Sequence, residues 1–257
     1  MNIHFTINKK MYSADLMAAK DISIPYSPAG PRAWYVDRMI IRPVMTEHFT
    51  GSIREGGSVN FREILFNPHG HGTHTETMEH VLDVNVPIST LLEKYFFTAL
   101  VVTIQPTHPN EEAAFKSKDD FVITLEQLLP YSEALEHHES VVIRTLPNTR
   151  EKCVQNYSDT NFCYLEEKAL AFLAEKNIQH LLVDLPSVDR EHDGGKLAAH
   201  KAFWQNGAVH RMSCTITEFV FVEDSIEDGS YLLELQIAPF HNDAAPSRPV
   251  LYPISPL

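Results

Sequence analysis

The sequence predicts a mixed α/β fold, built as one domain over residues 1–257 around a central mixed sheet. Short apolar runs typical of strands alternate along the chain with segments of helical periodicity, and the strands are the more numerous. No repeat, low-complexity tract or obvious linker divides the chain. With 257 residues, 44% of them hydrophobic, the chain can bury a large core without disulfides or a structural metal.

The first third of the chain is predicted to consist mainly of strands and loops. Two short strands flank Asn8-Lys9-Lys10 as a hairpin, and residues 21–26 form another strand. Two prolines and a glycine make residues 27–34 a loop, and a further strand ends at Pro68. Residues 73–83 are expected to begin a short helix, because their apolar side chains recur at helical spacing.

The rest of the chain alternates strands with helices. Continuously apolar runs at 96–104 and 140–146 predict strands that are buried on both faces. A helix capped by Thr124 and Gln127 follows, and Pro130 ends or kinks it. The next helix covers 164–177, with Asn177 as its C′ residue. The remaining predicted elements are a strand at 179–185, a helix over 196–207 and strands at 214–222 and 231–240.

Charge and cysteine content exclude several classes of protein. The formal net charge of −13 argues against a nucleic-acid surface and against binding to an anionic membrane. The three cysteines are scattered without a C-x-x-C pair, which indicates a reducing compartment. The N-terminal residues have no apolar signal segment, and no apolar run reaches the length of a membrane span. We therefore expect a cytoplasmic protein that binds neither nucleic acid nor membrane.

A cluster of histidines points to one functional segment. Four of the 14 histidines lie within twelve residues: His69, His71, His74 and His80. Together with nearby carboxylates they offer ligands that suit zinc, manganese or iron. If His74 and Glu76 bind one ion they must lie on an extended or turn segment, since residues two apart do not share a helix face. A single such histidine is usually a turn residue, but the whole cluster favours a metal or catalytic site.

The segment resembles the H-x-G-T-H-x-D-x-P-x-H signature of the cyclase family of metal-dependent hydrolases, which includes bacterial kynurenine formamidase and isatin hydrolase. The direct matches are Gly72, Thr73, His74 and His80. Glu76 stands at the aspartate position and Met78 at the proline position. The first histidine of the signature falls on Gly70, so either His69 or His71 must replace it.

Later segments extend the resemblance over most of the chain. The family's D-x-x-S-x-D stretch is similar to Asp184, Ser187 and Asp189. His200 and Glu218 match the family's following histidine and carboxylate in order and context. Considered alone, His200 on an apolar helix is as readily a core residue, whereas Glu218 on an apolar strand face needs a partner because burying an unpaired charge is costly.

The resemblance implies a swivelling β/β/α-type fold, an assembly of two or more copies, and one or two divalent ions, most commonly zinc or manganese. The first ion would be held by His69 or His71 together with His74 and Glu76. The second would be held by Glu76, His200 and Glu218, so that Glu76 serves both ions. In the family's terms the catalytic residues are Glu76 and His80, and His80 is the general acid and base.

The predicted activity is hydrolysis of a C–N amide bond in a small molecule, nearest to arylformamidase and thus to tryptophan catabolism. A bound divalent ion can polarise the resonance-stabilised amide carbonyl and acidify water. One alternative keeps the fold and the metal but opens a cyclic amide, imide or lactone ring. The departures from the signature motivate another alternative, a metal-binding homologue without catalysis.

Overall fold

The computed structural model describes residues 1–7, 9–109, 119–206 and 209–257, and strands dominate it. The strands are β1 Asn2–Ile7, β2 Lys10–Asp15, β3 Lys20–Asp21, β4 Ile40–Pro43, β5 Met45–Thr46, β6 Phe49–Thr50, β7 Arg62–Leu65, β8 His74–Glu76, β9 Phe96–Ile104, β10 Val122–Ile123, β11 Ser140–Thr145, β12 Tyr164–Leu165, β13 His180–Val183, β14 Gln205–Asn206, β15 Val209–His210, β16 Thr215–Glu218, β17 Gly229–Ile237 and β18 Ala244–Pro256. The α-helices are α1 Leu125–Leu128, α2 Ser132–Leu135, α3 Glu167–Glu175 and α4 Ala198–Trp204. Turns of 3-10 helix lie at Ile53–Glu55, Pro68–Gly70, Met78–His80, Ile88–Thr90, Leu129–Tyr131 and Arg150–Cys153.

The main sheet closes on itself. Its strand order is β1-β2-β18-β17-β9-β11-β13-β16-β8, with β3 also paired to β18, and β8 pairs again with β18, so that the strands from β18 to β8 form a closed ring. The pairs β9–β11, β11–β13 and β13–β16 are parallel, and the other pairs of this ring are antiparallel. The predicted mixed α/β fold with a central mixed sheet is therefore confirmed, and the closure into a barrel is an additional finding.

Both faces of the central strands are buried in separate apolar clusters, as their continuous hydrophobicity predicts. On β11, Val141 and Ile143 pack in one cluster with residues of α3 and α4. Val142, between them, packs in the other cluster with residues of β9 and β17. The alternation along β11 shows that the helices cover one face of the sheet while the second cluster fills the other.

The helices are shorter than predicted, but their ends follow the expected signals. Backbone N–H of Thr124 donates to Oε1 of Gln127 at 3.1 Å, and α1 gives way to the 3-10 turn that contains Pro130. Asn177, two residues after α3, has a φ of 61°, as expected at a C′ position. The helix predicted over 196–207 ends at Trp204, and its predicted last residue, Gly207, lies outside the described residues. Within the described ranges, no helix is both long and apolar enough to cross a bilayer.

The strand predicted to end at Pro68 ends at Leu65 and belongs to a segment of separate strand pairs. β4 pairs with β7, and β5 pairs with β6, without joining the main sheet. We call residues 40–65 the arm. Its exposed large apolar side chains are Ile40, Ile41, Met45, Phe49, Ile53, Val59, Phe61, Ile64 and Leu65. Such a concentration of exposed apolar surface is typical of an interaction site.

Candidate metal centre

The segment from His74 to His80 is a strand followed by one turn, and the helix predicted over 73–83 is wrong. β8 pairs with β16 on one side and with β18 on the other, and this pairing overrides the helical spacing of the apolar residues. His74 and Glu76 are thus extended and project from the same face of β8. The 3-10 turn Met78–His80 then brings His80 back towards them.

Two small residues fix this strand to its neighbours. Gly72 has a φ of +152°, and a Cβ atom there would lie 3.0 Å from the ring of Tyr26, so the position favours glycine. The Thr73 hydroxyl accepts a hydrogen bond from the backbone N–H of Ile24 at 2.6 Å and donates to the carbonyl oxygen of Phe219. The close approach at Gly72 and the two hydrogen bonds of Thr73 are the structural reason why the motif has a glycine and a threonine before His74.

Of the two candidates for the first histidine, the structure brings His69 into the cluster and not His71. His69 Nδ1 lies 3.1 Å from Oε2 of Glu76. Both ring nitrogens of His71 are engaged with the backbone, Nδ1 with N–H of Asn67 and Nε2 with the carbonyl oxygen of Asp37, each at 2.7 Å. Position 70 has no room for an imidazole, because a Cβ there would lie 2.8 Å from Val36.

Glu218 and His200 reach the same place from β16 and α4. Glu218 lies opposite His74 in the antiparallel register, and its Oε2 is 3.4 Å from His74 Nε2. His200 Nε2 lies 3.0 Å from Oε1 of Glu76 and 3.7 Å from Oε1 of Glu218. The strand pairing and the packing of α4 on the sheet thus bring together residues that are far apart in sequence.

Glu76 is the central group of the cluster. It is fully buried, and its two oxygens face different imidazoles: Oε2 faces His69 Nδ1, whereas Oε1 faces His200 Nε2. His80 Nε2 lies 3.8 Å from Oε2. Among the described residues, the groups with the spacing of metal ligands include His69–His74–Glu76 and Glu76–His80–His200, which share Glu76.

The electrostatics of the cluster favour positive charge around its carboxylates. Burial alone would lower the pKa of His69, but its contacts with Asp243 and Glu76 outweigh burial and raise it to about 10. His200 follows the same pattern: burial opposes the charged form, yet Glu76 and Asp189 hold its pKa well above the usual value. Burial would raise the pKa of Glu76, but the positive charge of His80 and His200 keeps it well below its usual range.

Three histidines of the cluster contact a carboxylate with one ring nitrogen and a further group, on the outer side, with the other ring nitrogen. His74 Nδ1 lies 3.0 Å from the carbonyl oxygen of Gly72, and His200 Nδ1 lies 2.6 Å from Oδ2 of Asp189. His69 Nε2 lies 3.0 Å from Oδ2 of Asp243. Such outer contacts orient histidines that bind metals. Sequence reasoning missed Asp243, since no spacing rule connects it with residues 69–80.

These residues fit a divalent ion. His74 Nε2 and Glu76 Oε2 are buried and have no partner in hydrogen-bond geometry, although other groups of the cluster lie within ion-pair distance. Buried polar atoms without such partners are rare and require an explanation. A cation would supply one, since imidazole and carboxylate donors suit zinc and manganese.

Comparison with known proteins agrees with this geometry. The Cyclase family model matches residues 20–190, which is well over half of the chain. The chain belongs to the cyclase family. The matched region includes His69, His71, His74, Glu76 and His80, whereas His200 and Glu218 lie beyond it.

Relatives of this cyclase-family chain include named enzymes. Kynurenine formamidase of Bacillus cereus is 30% identical over 211 residues, which cover 79% of this chain and 85% of that protein. Isatin hydrolase A from Labrenzia aggregata has a TM-score of 0.67 at 16% identity, covering 91% of this chain and 93% of that one. A predicted metal-dependent hydrolase from Bacillus stearothermophilus has a TM-score of 0.60 at 18% identity, covering 91% and 97%. The two structural matches establish a common fold.

Proposed function

We propose that this protein is a metal-dependent hydrolase that cleaves the C–N amide bond of aryl formamides. The similarity to kynurenine formamidase supports the substrate class. The observation that carries the chemistry is the convergence of imidazole and carboxylate groups around the fully buried Glu76. The presence of both imidazole and carboxylate donors in one buried cluster supports an active enzyme over a homologue that has lost catalysis.

The donors divide between two ions that share one carboxylate. One ion would be held by His69, His74 and Glu76, the other by Glu76, His200 and Glu218. The separate directions of the two Glu76 oxygens support this assignment. His71 is left out of the proposed ligand set, because both of its ring nitrogens are engaged with the backbone. We propose zinc or manganese, because both accept this mixture of nitrogen and oxygen donors.

His80 is suited to move the protons of the reaction. Its side chain is 30% exposed, whereas that of His69 is 18% exposed and those of His74 and His200 are buried, so a substrate reaches His80 most readily. A bound divalent ion would polarise the carbonyl of the substrate amide and make a water molecule more acidic. His80 Nε2, on the side of Glu76, then takes the proton of the attacking water and returns it to the leaving amine. An imidazole exchanges protons near neutral pH, which suits both transfers.

The exposed arm supports a further part of the proposal, assembly into a homodimer or larger oligomer. Nine large apolar side chains are exposed between Ile40 and Leu65. A symmetric contact between two copies would cover the same patch on each. We also propose a cytoplasmic location, which the unpaired cysteines support, and a role in tryptophan catabolism, which the similarity to kynurenine formamidase supports.

The proposed function is tested by steady-state release of formate from formanilide, with the enzyme loaded with zinc or with manganese. Isatin serves as the ring substrate, since its opening releases no formate. We expect turnover of formanilide by the wild type and a loss of kcat of about 10²- to 10⁴-fold in His80→Ala, as for removal of a general acid and base. His4→Ala, which removes an exposed histidine on β1, is the control and keeps full activity.

Two results contradict the proposal in different ways. Opening of isatin without cleavage of any formamide moves the substrate class to cyclic amides while keeping the metal centre. Inactivity of the loaded protein on both substrate classes supports the non-catalytic alternative.

A further inference from the structure

We propose that Asp243 is a positioning residue which sets the tautomers of His69 and His80 together. One carboxylate oxygen would hold the outer nitrogen of each ring. The inner nitrogens would then keep their lone pairs, one to bind metal and the other to accept a proton. This inference rests on the proposed function, because it assigns those tasks to the two histidines.

The position of Asp243 is fixed by the closure of the barrel. Ala244, the first residue of β18, lies opposite Glu76 of β8. Just beyond this pair, N–H of Thr77 donates to the carbonyl oxygen of Asp243 at 2.9 Å. The neighbouring Asn242 accepts from N–H of Ile88 at 2.9 Å. The backbone on both sides is therefore held, and the Asp243 side chain has a defined origin next to the segment that carries the metal ligands.

The side chain contacts both histidines with one atom. Oδ2 of Asp243 lies 3.0 Å from His69 Nε2 and 3.2 Å from His80 Nδ1. The two rings are stacked, with centroids 4.1 Å apart and an interplanar angle of 25°. A carboxylate only accepts hydrogen bonds, so both of these nitrogens must carry hydrogens.

The opposite edges of the two rings face inwards. His69 Nδ1 is 3.1 Å and His80 Nε2 is 3.8 Å from the same atom, Oε2 of Glu76. Metal binding by His69 and proton uptake by His80 both require the neutral ring, and in a neutral imidazole a hydrogen on the outer nitrogen leaves a lone pair on the inner one. Asp243 thus selects the tautomer that lets His69 act as a ligand and His80 act as a base, in the way that an outer carboxylate orients a metal-binding or catalytic histidine.

The same three groups also have the spacing of a separate metal site on the outer side of the rings. The outer contacts, at 3.0 and 3.2 Å, satisfy hydrogen-bond geometry, whereas His74 Nε2 and Glu76 Oε2 on the inner side have no partner in such geometry. This difference favours positioning by Asp243 at the outer side and metal binding at the inner side. An ion at this outer site would need the two nitrogens without hydrogens. The tautomers in the loaded protein therefore distinguish the two assignments.

The test reads tautomers and zinc affinity as well as activity. Protein labelled with ¹⁵N at histidine and loaded with zinc is studied at pH 8 by two-bond ¹H–¹⁵N correlation, in the wild type and in Asp243→Asn. We expect the hydrogen of His80 on Nδ1 in the wild type and a mixture of tautomers in the variant. Zinc affinity, measured against a competing chelator, should fall about 10- to 100-fold, as for loss of an outer partner of a ligand. With formanilide, kcat should fall at least about tenfold with KM within about threefold, the pattern of a lost transition-state interaction.

Glu234→Gln is the matched control. Glu234 is another carboxylate of the barrel, and it accepts a hydrogen bond from the Tyr252 hydroxyl at 2.6 Å. This variant should retain the wild-type tautomer, zinc affinity and kcat. Thermal unfolding of both variants shows whether a loss comes from the fold, and the wild-type spectrum decides the tautomer even if Asp243→Asn does not fold.

The proposal is overturned if wild-type His80 carries its hydrogen on Nε2, if a zinc ion binds at the outer nitrogens, or if Asp243→Asn leaves both zinc affinity and kcat unchanged. Failure of the proposed function gives a different pattern. A wild type that cleaves no amide but shows the expected tautomer and zinc affinities refutes the assigned activity and leaves the positioning role of Asp243 intact.

Discussion

Replacement of Asp189 by asparagine should damage both the stability of the fold and the binding of metal. Asp189 is buried, with 6% of its surface exposed. Its Oδ2 accepts from His200 Nδ1 at 2.6 Å and from the His200 backbone N–H at 3.1 Å, and its Oδ1 accepts from N–H of Ala199 at 2.8 Å. An asparagine has one acceptor oxygen, so its NH₂ group must face a donor on one side.

The loss can be estimated from these contacts. A buried hydrogen bond to a charged group contributes about 1.5–3 kcal/mol, and one such bond is lost. For a chain of this size each kcal/mol shifts Tm by roughly 2–4 °C, so Tm of the metal-free variant should fall by roughly 3–12 °C. Whichever way the amide turns, His200 Nδ1 faces a neutral oxygen or an NH₂ group in place of a carboxylate, so its orienting contact is weakened and zinc affinity should also fall about 10- to 100-fold.

Calorimetry in the presence of a chelator measures the fall in Tm, and competition with a chromophoric chelator measures the fall in zinc affinity. Asp193→Asn is the matched control, since Asp193 in the same loop also accepts backbone N–H bonds, from Gly195 and Leu197, but is only half-buried. It should change Tm by a few degrees at most and leave zinc affinity unchanged. An Asp189→Asn protein with the Tm and the zinc affinity of the wild type would refute the role assigned to Asp189.

Three further measurements test other parts of the structure. Burial, with the charges of Lys94 and Arg211, lowers the pKa of His180 to about 3, so this histidine stabilises the fold above its unfolded pKa of about 6.5 and that contribution is lost as pH falls towards 3. The free energy of unfolding is measured in the presence of a chelator at pH 7.5 and at pH 5.5. It should fall by about 1.4 kcal/mol more in the wild type than in His180→Gln, and an equal fall in both proteins would contradict this assignment. Light scattering should show an oligomeric wild type, a monomer for Ile64→Glu with Leu65→Glu, and an unchanged oligomer for Met17→Glu, which alters an exposed apolar residue outside the arm; an unaltered mass in the double variant would remove the arm from the interface. Elemental analysis should find one or two equivalents of zinc or manganese per chain, and the absence of bound metal and of any uptake would contradict the proposed centre.

The elements that sequence could predict are those whose signal is local. The strands at 96–104 and 140–146 are buried on both faces, and this leaves a continuous run of apolar residues. The cluster at residues 69–80 was evident from composition alone. Glu218 was a candidate because a carboxylate on a buried strand face needs a partner, and the structure places that face against His74.

The parts that sequence missed depend on pairing between distant segments. β18 contains four prolines, which argue against a central strand, yet it pairs with β17 and closes the barrel against β8. The extended form of residues 74–76 follows from that closure, and so does the position of Asp243. The choice between His69 and His71 depended on the backbone partners of His71 and on the lack of space at Gly70, neither of which leaves a pattern in the sequence.

The departures from the family signature are consistent with one another in the structure. Gly70 stands where the signature has its first histidine, close against Val36, and the preceding His69 supplies the imidazole instead. Glu76 is longer than aspartate by one methylene group, and its two oxygens reach His69 Nδ1 at 3.1 Å and His200 Nε2 at 3.0 Å. Met78 replaces the proline, packs fully buried in the larger apolar cluster, and begins the turn that places His80 over Glu76. Random decay of a metal site would be expected to remove ligands without replacing them. Here each altered position is matched by a contact that keeps an imidazole or carboxylate group in the cluster, which supports the proposed metal centre over the non-catalytic alternative.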